Sequence, residues 1–248
     1  MFIAAAADLR GGTVVLTGPE GRHAATVRRL APGERAMLTD AAGTVAECMV
    51  SSASGGTVEF TVLERRTEPA PQPAIAVAQA LPKGDRAELA AELMTEVGVD
   101  LIVPWQARRC VVQWHGERAG RALERWRKTA REAAKQSRRA WFPEVAEPVS
   151  LPGLAGLVTA ASLAVILDPD APGPLSDLSL PAAGQILLIV GPEGGISPEE
   201  SARLTQAGAV GARLGPGILR TSTAGAVAAA FLLSASGRWG QANQTNLR

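Results

Sequence analysis

Two glycine-rich segments carry most of the chemistry open to this chain. Gly191-Pro192-Glu193-Gly194-Gly195 is entered directly from the apolar run Ile186–Val190 and is followed at once by Ser197-Pro198-Glu199-Glu200. Leu214-Gly215-Pro216-Gly217-Ile218-Leu219-Arg220 follows the next apolar run. Glycine lets a backbone approach a ligand closely and leaves amide donors uncovered. In open α/β sheets, ligands bind at the carboxyl ends of the strands. Two such ends make two walls of one pocket, suited to a flat, mostly apolar ligand such as an adenine ring held by backbone polar groups. The spacing is neither GxGxxG nor GxxxxGK[ST], so neither a dinucleotide fingerprint nor a nucleotide P-loop is present. A plain strand-to-helix turn uses glycines too, and GPEG recurs at Gly18–Gly21 in another setting; the pairing of the two segments favours a ligand. Arg220 closes the second segment. It is either a surface ion-pair residue or the partner of an anion, such as RNA phosphate or negative charge developing on a reacting base. Glu193 reads as structural, because a helix start favours a carboxylate.

The near balance of 25 Lys/Arg against 24 Asp/Glu conceals a strong polarity. Between Arg108 and Arg139 eleven basic residues face three glutamates, a local net of +8, while the rest of the chain holds −7. Such a block points to a polyanion partner. Arg121, Arg125 and Lys128 lie on its polar side as contacts for an RNA backbone. Gln136, Arg138 and Arg139 fall at its end, where guanidinium groups bind phosphate and stack on bases. Trp141 and Phe142 are either stacking platforms or core, whereas Trp126 sits on the apolar stripe and is core. Arg22, Arg28 and Arg29 surround His23 and suggest a second RNA-facing patch, His23 itself capping or making one buried hydrogen bond. Cys48 and Cys110 lack metal spacing and read as reduced, packed thiols, and with His23 and His115 alone no histidine cluster forms, so no metal is expected. No Ser-His-Asp set or forced carboxylate pair supports hydrolysis. The amino terminus lacks a basic signal region and no run approaches 18 apolar residues, so a cytoplasmic protein with no membrane span is expected.

The elements that must position these residues fall in two groups. In the first, Val14–Leu16, Arg35–Thr39, Val45–Val50 and Thr57–Leu63 are short strands between glycine turns, with one helix over HAATVRRL ended by Pro32-Gly33. A small β-barrel with one helix fits. Thr67–Pro73 is a stiff connector, placing a boundary between a domain over 1–70 and another over 71–248. Beyond it come a strand at Ala74–Ala80, a helix at Asp85–Val97 and a strand at Leu101–Val103 ending at Pro104. A long amphipathic helix over Arg118–Arg139 is closed by Pro143. Leu163–Leu167 and Ile186–Val190 are unbroken apolar strands, which signals a mostly parallel sheet covered on both faces. Asp168–Pro174 reads as a mobile loop. Ser197, Pro198 and Glu200 form a capping box. A strand at Ala209–Leu214 leads to a last helix, Ala224–Ser234, capped by Thr221 or Ser222 and apolar on most sides, and residues 241–248 read as a frayed tail.

HAATVRRLAPGE with DAAG, EVGVDLIVPWQARRCVV, KQSRRAWFPEV, IVGPEGGISPEE and RLGPGILRTSTAGAV occur in this order, and together they resemble the ribosomal RNA small subunit methyltransferase E family. The resemblance covers nearly the whole chain. It implies an α/β fold with a PUA-like β-barrel at 1–70 and a knotted SPOUT-type domain at 71–248. A deep trefoil knot rests on the resemblance alone, since knots are very rare. It implies S-adenosylmethionine as cofactor, bound by loops containing Leu167, Val190, Gly191, Gly194, Gly195, Leu214, Gly215, Ile218 and Leu219. It places Arg109, Gln136, Arg139 and Arg220 at the substrate, with Arg109, Arg139 and Arg220 as the catalytic candidates, and Arg22, His23 and Arg29 on the accessory RNA-binding domain. The reaction implied is methylation of N3 of one uridine in 16S rRNA of the 30S subunit, by a homodimer paired through its C-terminal domains. Three positions depart from the family pattern: Ser222 and Lys135 stand where glutamate is usual, and Leu93 where lysine is. A non-catalytic RNA-binding or ribosome-assembly protein, and a SPOUT methyltransferase acting on another RNA position, are the rival readings.

Overall fold

A computed structural model describes residues 1–84 and 86–240. Asp85, expected to open a helix, and the 241–248 tail lie outside the described residues. The chain forms two compact units, one of residues 1–70 with 134–142, the other of residues 71–133 with 143 onward.

The first unit is a five-stranded sheet of β1 (Phe2–Ile3), β2 (Thr13–Leu16), β3 (Arg35–Thr39), β4 (Thr44–Ser54) and β5 (Thr57–Thr67), in the order β1-β3-β4-β5-β2. Val14, Leu16, Val58 and Phe60 point inward and alternate with exposed or half-exposed neighbours, as expected of a sheet with one wet face. Register shifts at Glu47/Cys48 and Val50/Ser52 bend the long β4–β5 pair. The expected helix begins earlier than HAATVRRL, as α1 (Gly18–Arg22), and continues as a π-helical turn over His23–Val27. It crosses the strands so closely that a Cβ on Gly21 would lie 2.5 Å from the Leu16 carbonyl oxygen. Residues 134–142 complete the unit: the Gly43 amide donates to Ala140 O (3.0 Å), the Phe142 amide to Ala41 O (3.0 Å) and Trp141 Nε1 to Glu68 O (3.0 Å).

The second unit is built on six strands, all parallel, in the order β11-β9-β10-β6-β7-β8. The strands are β6 (Ala74–Ala80), β7 (Leu101–Trp105), β8 (Glu144–Val145), β9 (Leu163–Leu167), β10 (Gln185–Val190) and β11 (Val210–Ala212). The helices are α2 (Arg86–Val97), α3 (Gly116–Gln136), α4 (Leu151–Ala160), α5 (Pro198–Gln206) and α6 (Thr221–Ala235). One core joins Ile75, Val77, Ile186 and Leu188 to Met94, Trp126 and Leu232; a second joins Ala76, Ala78, Leu187 and Ile189 to Trp105, Leu154 and Leu204. Alternate residues of each central strand thus feed opposite layers, which is why these strands are apolar throughout. The chain runs outward from β6 to β8, crosses to β9, then inserts β10 between β9 and β6, making a switch point there.

α6 returns along β6. The seven residues of β6 and the fifteen of α6 both span about 23 Å. Each end is tied: Arg238 pairs with Asp100 (2.5 Å) and donates to Pro73 O (3.2 Å) at one, and Gln79 reaches Thr221 at the other.

Three expectations change. β7 does not end at Pro104 but runs through it to Trp105. Pro104 O accepts from the Val149 amide (2.9 Å), so the ring nitrogen faces the outer side of the sheet, beyond the end of β8, where no ladder amide is required. α3 stops at Gln136, well before Pro143. α6 starts at Thr221 with Arg220 as its N-cap and no side-chain cap, rather than at Ala224.

Candidate active site

Parallel strands bring their carboxyl ends to one edge, so the segments after β6, β7, β9, β10 and β11 gather there. Specific bonds hold them together. Trp105 Nε1, at the end of β7, donates to Val190 O at the end of β10 (2.9 Å). Arg109 Nη1 donates to Gly194 O (3.0 Å), and a Cβ on Gly194 would lie 3.2 Å from that of Arg109. Gly195 has φ +73°, the left-handed conformation the turn requires.

Glu200 organises the two segments behind this contact. Its Oε2 accepts from the Ser197 amide (2.9 Å) while Ser197 Oγ accepts from the Glu200 amide (3.3 Å), so the expected capping box forms with Pro198 in the first turn. Its Oε1 accepts from the Arg108 amide (2.7 Å). One buried carboxylate therefore starts α5 and fixes the turn that carries Arg109. The Glu199 carboxyl, fully exposed, is held below its ordinary value by its own amide, the Ser197 hydroxyl and Arg108. Glu193 Oε1 takes only a long contact from the Lys83 amide (3.4 Å). Burial pushes the Cys110 thiol up, so it is no thiolate nucleophile.

The segments after β9 and β11 lie at the same edge of the sheet. Leu167 pairs in register with Ala212. Asp168–Pro174, expected to be mobile, is strapped down: Arg213 donates through Nη1 to Ala171 O (2.9 Å) and Pro172 O (2.7 Å), its amide to Gly173 O (3.0 Å), and its carbonyl accepts from the Leu175 amide (2.8 Å). Beyond Arg213 the chain loosens. The amides of Gly215, Gly217, Ile218, Leu219 and Arg220 make no hydrogen bond with any described residue. Ile218 is 83% exposed and Leu219 40%. A loop with open amides and apolar side chains held out to solvent has the character of a ligand-facing segment. These donors and walls fit a cofactor that combines a flat ring with polar edges. Among the described residues no group of three or more His, Cys, Asp or Glu could hold a metal ion, and no described helix is long and apolar enough to cross a membrane.

Arg109 and the Gly191–Gly195 turn are thus brought together, with Arg220 at the end of the second loop, exposed and outside any ion pair among the described residues. The basic helix divides. Arg121 pairs with Glu117 (3.6 Å) and Arg125 with Glu88 (2.8 Å), both remaining well exposed, while Lys128 is exposed and outside any ion pair among the described residues. Gln136, Arg138 and Arg139 belong to the first unit, as do Arg22, His23 and Arg29. Arg138 and Arg29 adopt positive φ (55° and 52°) and are exposed. His23 packs edge-on against Phe2 at 5.7 Å, and Trp141 lies against Gly43 in the same unit. Lys135 is buried and paired with Glu20 (3.0 Å).

Sequence reading missed Trp105, the second role of Glu200, and Gln79. Each bonds a residue far away along the chain. The one local sign was Gln79, the lone polar side chain in Ala-Ile-Ala-Val-Ala-Gln-Ala.

A family model described as an RNA methyltransferase domain matches residues 68–233, and one described as an RNA methyltransferase PUA domain matches residues 16–63. The chain is 47% identical over 233 residues to ribosomal RNA small subunit methyltransferase E of Mycobacterium bovis, covering 92% of this chain and 89% of that one. It resembles the crystal structure of a ribosomal RNA small subunit methyltransferase E from Neisseria gonorrhoeae bound to S-adenosyl methionine, with TM-score 0.83, 28% identity, and coverage of 94% and 96% of the two chains. A Legionella pneumophila methyltransferase solved with bound S-adenosyl methionine gives TM-score 0.79 at 29% identity, covering 91% and 93%.

Proposed function

This chain belongs to the ribosomal RNA small subunit methyltransferase E family, and on that premise we propose that it transfers a methyl group from S-adenosylmethionine to N3 of one uridine in 16S rRNA, acting on the 30S subunit. The observation that carries the reading is the pair of loops at one sheet edge, Gly191–Gly195 pinned by Arg109 and Gly215–Arg220 with its amides open. When bound, S-adenosylmethionine supplies an electrophilic methyl carbon on a sulfonium. Gly191, Gly194, Gly195 and the amides of Gly215, Gly217, Ile218 and Leu219 would hold it, with Leu167, Val190, Leu214, Ile218 and Leu219 as apolar walls. Uridine N3 carries a proton and becomes a nucleophile only when that proton leaves. Arg220, with Arg109 and Arg139 as further candidates, stabilises the negative charge that spreads over O2 and O4, and an ordered water takes the proton. The base must be unpaired or extruded to enter.

The 1–70 segment serves as a PUA-like RNA-binding domain through Arg22, His23 and Arg29, and the 71–248 segment as the methyltransferase domain, its cofactor loops forming a trefoil knot. Arg121, Arg125, Lys128, Gln136 and Arg138 serve the RNA. The enzyme works in the cytoplasm as a homodimer joined through the C-terminal domain. The test is transfer of labelled methyl groups to unmodified 30S subunits followed by nucleoside analysis. Label in N3-methyluridine is expected. Label in another nucleoside would identify a different RNA position, and no label with a preparation that binds cofactor would favour a non-catalytic RNA-binding protein.

A further inference from the structure

We infer that Gln79 is the positioning residue for the cofactor loop ahead of α6. The inference rests on the reading of that loop just given. Gln79 is the one polar side chain of β6 and is fully buried. Its Nε2 donates to Ala80 O (3.0 Å) and to Thr221 O (3.2 Å). The second bond joins the end of the central strand to the first residue of α6, directly after Arg220. Thr221 is where the chain passes from a loop with open amides to a helix with a packed interior. The Gln79 bond is thus the first fixed point after Gly215–Arg220, just as the Arg213 contacts are the last before it.

Two further observations argue for geometry rather than stability as its purpose. Gln79 Oε1 is buried and has no hydrogen-bond partner among the described residues. An unpaired buried acceptor carries a free-energy cost that methionine or leucine would avoid. The surrounding helix also approaches the amide itself: a Cβ on Gly225 would lie 3.2 Å from Gln79 Oε1, 3.1 Å from Val77 Cγ1 and 3.3 Å from Met94 Sδ. Gly225 therefore admits the carboxamide into a space that an ordinary helix residue would take. Both features spend packing to keep one donor aimed at Thr221 O.

The experiment compares wild type, Gln79→Met and Arg238→Met by calorimetric titration with S-adenosylhomocysteine, below the melting temperature of each. Arg238→Met frees the far end of the same helix and controls for loss of stability alone. Gln79→Met should weaken binding about tenfold, the effect of losing roughly one net hydrogen bond's worth of organisation. Hydrogen exchange at 214–220 in the S-adenosylhomocysteine complex should rise with it. Arg238→Met should lower the melting temperature and leave the affinity unchanged. If wild type binds and Gln79→Met binds equally well, the positioning role is wrong while the cofactor reading stands. If wild type gives no binding, the cofactor reading fails and takes this inference with it. Should Gln79→Met not fold, the carboxamide signal of Gln79 in nitrogen-labelled wild type reports instead: it should move on saturation with S-adenosylhomocysteine, and an unmoved signal overturns the proposal.

Discussion

Lys135 stands where the family pattern calls for an acid, and its surroundings explain how the chain accommodates it. Its Nζ lies 3.0 Å from Glu20 Oε1, with only 5% of the lysine side chain exposed, and Glu20 Oε2 accepts from the Ile3 amide (3.2 Å). The charge is compensated locally, so restoring an acid there should harm this protein. Lys135→Glu would set two carboxylates against each other inside the first unit. We expect a loss of about 3 kcal/mol in urea unfolding, with the double exchange Glu20→Lys/Lys135→Glu recovering most of it; a single variant as stable as wild type would show that the pair contributes nothing. Asp40 offers a pH test in the same unit. Burial pushes its carboxyl up, but the Ala42 and Thr44 amides (2.8 and 2.9 Å) outweigh this and leave it below its ordinary 3.8. Because the folded value is the lower, the stabilisation is fully present above about pH 5 and is lost as pH falls below 3.8 through the folded value. Asp40→Ala should cost about 1 kcal/mol at neutral pH, and the gap in urea midpoint should close in acid; a gap independent of pH would assign the effect to the turn rather than the charge. Neither Glu20 nor Gln79 was legible in the sequence, because each meets its partner more than a hundred positions away. The glycine turns were legible because their requirement is local.

The same contrast holds for whole elements. Strand periodicity located β2 to β5 in the first unit and β6, β9 and β10 in the second, since alternation or an unbroken apolar run is written into consecutive residues. β1 and β8 span two residues each and exist only through pairing with β3 and β7. α4 was missed because Pro152, Gly153 and Gly156 dilute its pattern, although Ser150 at the N-cap and Pro152 in the first turn suit a helix start. The end of α3 is the most instructive difference. Pro143 does not stop it; a backbone motif does. The Arg139 amide donates to Ala134 O (3.0 Å) and the Arg138 amide to Lys135 O (3.4 Å), with Arg138 at φ +55°. This is the Schellman arrangement, in which glycine is the usual residue at the left-handed position. A β-carbon there costs about 1 kcal/mol, which implies a use for the arginine that outweighs the strain. Arg138→Gly should therefore raise stability by about 0.5–1 kcal/mol while weakening RNA binding and reducing its salt dependence. Thermal melts and filter binding at two salt concentrations check the opposed signs. A variant that is stabilised with unchanged RNA affinity would remove Arg138 from the RNA surface.

At the scale of the molecule, the unfinished surface is that of α6. Ala224, Ala228, Ala229, Leu232 and Leu233 are buried against the strands and α2. Val227 and Phe231, one turn apart on another side of the helix, remain 46% and 37% exposed. The helix has no charged residue, and only the Thr223 and Ser234 hydroxyls share the outer side with this pair. Ala230, half-buried beside the exposed pair, has a small side chain that permits close approach by another surface. A second copy of the chain is the occupant we expect, in agreement with the homodimer proposed above. Such a contact covers an apolar patch that would otherwise favour aggregation. Light scattering at micromolar concentration should give about twice the 25.6 kDa chain mass. Phe231→Glu places a charge in the middle of the patch, where it has no partner and would lose its hydration on association. That variant should shift the mass to that of one chain while its circular dichroism stays that of wild type. Because Phe231 lies on α6 well beyond the Gly215–Arg220 loop, its cofactor affinity should be retained if each subunit binds independently, and any loss of methyl transfer then measures what the second subunit contributes to RNA. A wild-type protein that remains at the mass of one chain and still methylates RNA would leave the exposed α6 face without this role.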